Sequence, residues 1–166
     1  TTDDIMPSNA KLLPYRSNVP KLSKHCFEPL DPEFSQRASN TKASLIMGGH
    51  TYGQGSSREH AALVPLYLGV RVVIAKSFAR IHKANLINAG ILPLTFDVSD
   101  GVHLHEFKIG VNFTLSDIRS GLECGRLKLT SKDYEPIPLR FEGSNTDIAY
   151  LLYGGALNYY KTLQGD

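Results

Sequence analysis

Tryptophan is absent and cysteine nearly so: the only thiols, Cys26 and Cys124, stand far apart and form no C-x-x-C pair. That argues against a disulfide scaffold and a self-contained zinc or iron–sulfur site. No apolar run approaches the roughly 20 residues of a membrane span, and no signal-peptide pattern opens the chain. Charge of one sign is missing as well. Eighteen Lys and Arg against sixteen Asp and Glu leave +2, too little to argue for nucleic acid. Internal repeats and low-complexity tracts are also lacking. What is present is a chain of 166 residues, 42% hydrophobic, with Leu, Ile and Val in plenty. It suffices for one domain, 1–166, burying about two-thirds of its unfolded surface, and it excludes wholesale disorder. A soluble domain of a reducing compartment is expected, cytoplasmic or in the mitochondrial matrix. The start at Thr1 rather than a methionine suggests processing or a piece of something longer.

The predicted fold is α/β, a mixed sheet behind an irregular N-terminal arm. Residues 1–41 carry Pro7, Pro14, Pro20, Pro29 and Pro32 and read as an extended arm or loops, with at best a short helix near 21–27. So long an irregular stretch in a compact domain points to a functional role. Strands are predicted over 43–47, 70–75 and 91–96, with Pro93 arguing for an edge or a bulge in the third. Helices are predicted from Ser56 or Ser57 to about Leu68 and from Phe78 to about Asn88. The second should turn Phe78, Ile81, Ala84 and Leu86 inward and stop at Gly90. Strand–helix–strand–helix–strand implies parallel pairing. Beyond the third strand, Asp100-Gly101 and Gly110 punctuate the chain, and 126–130 and 138–141 read as half-buried strands. One helix closes the chain over 146–163.

The densest polar run is Gly53-Gln-Gly-Ser-Ser-Arg-Glu-His60, at a strand–loop–helix junction. Glycines let a backbone approach a ligand, and a helix N-terminus beside hydroxyls and an arginine suits a carboxylate or phosphate. The same residues read equally as an ordinary cap, with Glu59 at capping-box spacing from Ser56. The P-loop pattern, the third glycine of a dinucleotide fingerprint and a G-x-S-x-G elbow are all missing. His60 lies one turn from Ser56, yet a helical His beside Ala61 and Ala62 reads first as structural. His103 and His105 alternate without a third ligand and read as a solvated hairpin rather than a metal site. The Asn158-Tyr159-Tyr160 stretch reads as helix surface and core. Cys26 and Cys124 read as plain small residues, with nothing local to activate a thiolate.

From Tyr52 to Leu63, and on through Leu68–His82, Asn85-Leu86 and Gly90–Phe96, the sequence resembles the C-terminal swivelling domain of the aconitase family. The opening Thr1-Thr-Asp-Asp-Ile-Met-Pro7 and Arg16-Ser-Asn18 resemble its start. The resemblance implies a hydro-lyase that moves a hydroxyl between adjacent carbons of a di- or tricarboxylic acid through an enoic acid. It implies that Ser56 is the general base, that Ser57 and Arg58 bind a substrate carboxylate, and that Arg16 clamps another. Asp3 would orient a catalytic histidine of another domain. It further implies a [4Fe-4S] cluster held by three cysteines on other domains. Those cysteines are absent from this chain, so a cluster-bearing partner is expected and the domain alone should be silent.

Within that family, Arg16 suits an additional carboxylate, so citrate/isocitrate is the expected substrate pair. A homoaconitase or an isopropylmalate isomerase small subunit is the alternative, the latter disfavoured because an arginine facing an isopropyl group stays unpaired. The Asp4 position is His in many aconitases, which bears only mildly on substrate. The alternative of another class is an RNA-binding module using Arg71, Lys76, Arg80, Lys83 and Arg119.

Overall fold

The computed structural model describes residues 1–97 and 103–165. The expected turn at Asp100-Gly101 lies outside the described residues. The arm is not an extended strand or loose loop. It folds into α1 (Thr2–Ile5), a 3-10 turn over Leu13–Tyr15, α2 (Val19–Leu22), a second 3-10 turn over Ser23–His25 and α3 (Phe34–Ser39). Pro14 and Pro20 sit in first turns, where a missing N–H costs no helical bond, so they start turns rather than prevent them. Thr1 caps α1 with a capping box: its hydroxyl accepts from the Asp4 N–H, and the Asp4 carboxylate accepts in return. Asn18 caps α2. The apolar residues of these turns, including Ile5, Met6, Leu12, Leu22 and Phe27, are buried in one cluster with Ala61, Val64 and Leu68. The arm is therefore part of the core.

The rest of the chain adds β1 (Ser44–Gly48), α4 (His60–Tyr67), β2 (Val70–Ala75), α5 (Arg80–Ala89), β3 (Leu92–Phe96) and β4 (Thr114–Leu115). It ends with α6 (Ile118–Cys124), β5 (Arg126–Thr130), β6 (Ile137–Arg140), α7 (Asn145–Leu152) and α8 (Ala156–Gln164). The sheet runs β1-β2-β3-β6-β5-β4. The first three strands are parallel, as the alternation of strands and helices implies, and the last three join antiparallel. Val73 and Ile74, neighbours on β2, point into different apolar clusters, so the sheet is covered on both faces.

Three expectations need correcting. β3 is an inner strand, not an edge. Pro93 is tolerated because pairing with β6 involves only Thr95 and Phe96, and the Asp97 N–H donates to Pro138 O. Odd positions thus turn their backbone groups toward β6, and Pro93 lies before that pairing starts. In α5, Ile81 and Ala84 face outward while His82, Leu86 and Ile87 are buried. The closing helix is two: Gly154 and Gly155 take positive φ and break it. The break fits close against α5, since a Cβ on Gly90 would stand 2.5 Å from the Gly154 carbonyl carbon. Gly90 itself ends α5 in the left-handed region, as expected.

Candidate functional site

The loop after β1 is tied to the start of α5 by backbone. The Tyr52 N–H donates to Ser77 O, the Ala79 N–H to Tyr52 O, and the Thr51 N–H to Ser77 Oγ. This places Gly53–Arg58 beyond the carboxyl ends of β1 and β2, where open α/β sheets present ligand sites. Gly53 and Gly55 both take positive φ. The predicted cap does not form: α4 begins only at His60, with Glu59 before it and no side-chain cap. Ser56 and Ser57 are exposed and lie ahead of the helix. The physical reason is Arg58, whose Nη2 donates to Asp3 Oδ1 at 2.7 Å and whose Nη1 donates to Met6 O at 3.1 Å. Those bonds anchor the chain to the arm before the first helical turn and leave both hydroxyls outside it.

Ser57 and Arg58 border two depressions. One, of about 290 Å³, is formed by the loop, Thr2 and the first turn of α5. The other, of about 300 Å³, has an apolar wall of Met6, Leu12, Leu13 and Leu22, with Arg16, Glu59 and His60 on its rim. Of the five predicted site residues, Ser56 lines the first depression, Arg16 the second, and Ser57 and Arg58 both. Asp3 meets Arg58, although 55 residues separate them. Arg16 reaches the depression bounded by Ser57 and Arg58, and its own backbone oxygen accepts from His60 Nε2–H at 2.7 Å. His60 therefore fastens the arm to α4. Within this chain Asp3 orients an arginine; the histidine of another domain belongs to what the resemblance implies.

Two side chains of the first depression went unremarked in the sequence. Thr2 is 1% exposed and His82 3%. Among the described residues, Thr2 Oγ1 and both ring nitrogens of His82 are buried without a hydrogen-bond partner. The sequence did hold a signal for His82: it stands four residues from both Phe78 and Leu86, on the inner stripe. Burial, with the positive N-terminus a second cause, pushes the His82 pKa down to about 4. The unfolded chain, with His near 6.5, then binds the extra proton first. Stability should fall as pH drops from about 6.5 towards 4, and His82→Phe should flatten that slope in urea melts. An unchanged slope would locate the titration elsewhere.

Cys26 is buried, and burial pushes its thiol pKa up to about 12, whereas Cys124 is exposed. A thiol reagent at neutral pH should therefore titrate one thiol in the folded chain and two in denaturant. His103 and His105 flank Leu104 in a 3-10 turn rather than a hairpin, ring centroids 5.7 Å apart. No group of three His, Cys, Asp or Glu able to hold a metal occurs among the described residues. One buried protonated thiol and one distant exposed thiol do not fit an iron–sulfur cluster. No helix among the described residues is long and apolar enough to cross a membrane.

A mixed sheet carrying a glycine-rich Ser-Ser-Arg loop beyond its parallel strands, braced by an N-terminal arm, defines a swivelling-domain class of α/β protein. Residues 20–99 match the aconitase C-terminal domain model. Over 161 residues the chain is 36% identical to 3-isopropylmalate dehydratase small subunit 2 of Archaeoglobus fulgidus, covering 97% of this chain and 87% of that one. It is 41% identical over 121 residues to a putative mitochondrial aconitate hydratase of Emericella nidulans, covering 69% of this chain but only 15% of that protein. The structure of 3-isopropylmalate dehydratase (LeuD) from Methanocaldococcus jannaschii superposes with a TM-score of 0.78 at 28% identity, covering 98% of this chain and 87% of that one. The chain belongs to the aconitase C-terminal domain family, which includes isopropylmalate dehydratase small subunits, and its fold is that of the archaeal structure. These relatives are hydro-lyases by name.

Proposed function

We propose that this chain is the serine- and arginine-bearing half of a two-part hydro-lyase of isopropylmalate dehydratase type. Its substrate is a hydroxy di- or tricarboxylic acid. The observation that carries the reading is the Ser56-Ser57-Arg58 run at the border of two depressions, with both serines exposed and the half-buried Arg58 held in place by Asp3. In the forward direction Ser56 Oγ, as the alkoxide, takes the proton from the carbon next to a carboxylate. The electron pair of that C–H bond becomes the C=C bond, and the C–O bond on the neighbouring carbon breaks to release the hydroxyl. Arg58 holds the carboxylate whose charge grows as the proton leaves. Activation of the leaving hydroxyl would fall to a [4Fe-4S] cluster on a large partner, since no donor set for one occurs among the described residues.

The apolar wall of Met6, Leu12, Leu13 and Leu22 suits a branched alkyl group. Relatives spanning nearly the whole chain support the same choice. One observation favours citrate/isocitrate instead: Arg16 stands on the rim of that depression, with no carboxylate paired to it among the described residues. The test is anaerobic turnover of isopropylmalate and isocitrate by this chain mixed with a cluster-reconstituted large subunit. Higher kcat/KM on isopropylmalate supports the first reading. Preference for isocitrate, reduced by Arg16→Leu, transfers the assignment to the second. Silence on both acids with the cluster intact overturns the proposal.

A further inference from the structure

The helix start that serves this site is that of α5, not α4. The Ala79 N–H donates to Tyr52 O, and the first bond inside the helix runs from the Lys83 N–H to Ala79 O. The N–H groups of Arg80, Ile81 and His82 thus have no acceptor within the helix, and no side chain caps them. All three residues line the depression of about 290 Å³ that also holds Ser56, Ser57 and Arg58. No Asp or Glu lines it, and Arg80 pairs with no carboxylate among the described residues. A helix start alone is weak evidence, but the wall carries two further unmet polar groups. Thr2 and His82 are both more than nine-tenths buried, and neither hydroxyl nor ring has a hydrogen-bond partner among the described residues. The Thr2 hydroxyl stands 3.0 Å from where a Cβ on Gly55 would be, and the His82 ring backs onto Gly53. Polar groups without partners among the described residues therefore stand on both sides of the loop.

The geometry points to a carboxylate seat at the start of α5, formed by the Arg80 guanidinium and the free N–H groups of Arg80, Ile81 and His82, across the depression from Arg58. The inference rests on the proposed hydroxy-acid function and adds a second anchor to it. One carboxylate of the substrate is held by Arg58 and Ser57, and another by α5. Anion binding there combines a guanidinium with oriented N–H groups, and loss of such a charge-assisted contact typically costs about ten- to hundred-fold in affinity. The buried Thr2 hydroxyl and neutral His82 ring serve as positioning groups that face the loop from behind.

The test is an amide-resonance titration of the ¹⁵N-labelled full chain with propane-1,2,3-tricarboxylate, and separately with inorganic phosphate. The expected result is saturable movement of the Arg80, Ile81 and His82 amides with the tricarboxylate, with binding weakened about ten- to hundred-fold in Arg80→Gln. Arg80→Lys should keep part of it, and phosphate should bind more weakly. If the Ser57 and Arg58 amides move while those of α5 stay still, the seat is absent. If no amide saturates, it is likewise overturned. Phosphate binding as tight as the tricarboxylate would overturn the carboxylate assignment. The outcome is separate from turnover. Saturation at α5 beside an inactive reconstituted pair keeps the seat and removes the proposed reaction, and the converse result does the opposite.

Discussion

Ser56→Ala should lower kcat of the assembled hydro-lyase by roughly 10²–10⁴-fold and leave the fold of this chain untouched. The kinetic half comes from the role assigned to Oγ. Without it the proton on the carbon next to the carboxylate has no acceptor at that position, and no neighbouring carboxylate takes over, since none among the described residues lines the depression. The structural half comes from where the residue stands. Ser56 is exposed and lies ahead of α4, and it caps nothing. Its truncation should stay within about 0.5 kcal/mol in a urea melt. Ser57→Ala serves as the comparison, because loss of a binding hydroxyl should raise KM more than it lowers kcat. Near-normal turnover in Ser56→Ala would remove the base assignment. A large stability loss would mean that the serine is a cap after all.

Gly53→Ala should be among the most damaging single-methyl changes to the loop. The added Cβ would lie 2.1 Å from Cγ and Cδ2 of the His82 ring, and the residue has φ +79°, where an alanine is strained. Strain in the left-handed region and overpacking each cost about 1–3 kcal/mol. The Tm should fall by roughly 5–15 °C for a chain of this size. Activity should fall with it, because the ring cannot yield without moving the loop that carries Ser56. His82→Ala in the same chain should return part of the loss, as an interaction energy in a double-mutant cycle. A Gly53→Ala chain melting within about 2 °C of the original would show that ring and loop are not packed as described.

Much of this was legible in the sequence, and the misses share a cause. Strands β1, β2, β3, β5 and β6 announce themselves as short apolar or alternating runs, and the alternation with helices gives the parallel half of the sheet. The fate of the arm was not legible, because its five prolines look like helix breakers until Pro14 and Pro20 are placed in first turns. What holds it is tertiary: Arg58 to Asp3 and Met6, and His60 to Arg16. These same long-range bonds delay α4 and spoil the cap expected at Ser56. Local spacing alone favoured that cap. At the site, four of the five residues named from the sequence line one or both depressions, and Asp3 joins them through its bond to Arg58. The contribution of α5 was hidden because an uncapped helix start has no marker residue, and because Ile81 rather than His82 drew the inward assignment.

Titration of a cluster-reconstituted large subunit with this chain, under anaerobic conditions and with enoic acid formation as the readout, tests the central claim most directly. A split site requires silence from either part alone and activity that rises to a plateau at one chain per large subunit. The same titration with Ser56→Ala should give assembly without turnover. Activity of the large subunit that is indifferent to added chain, with the cluster intact and the two proteins shown to associate, would contradict a site completed by Ser56, Ser57 and Arg58.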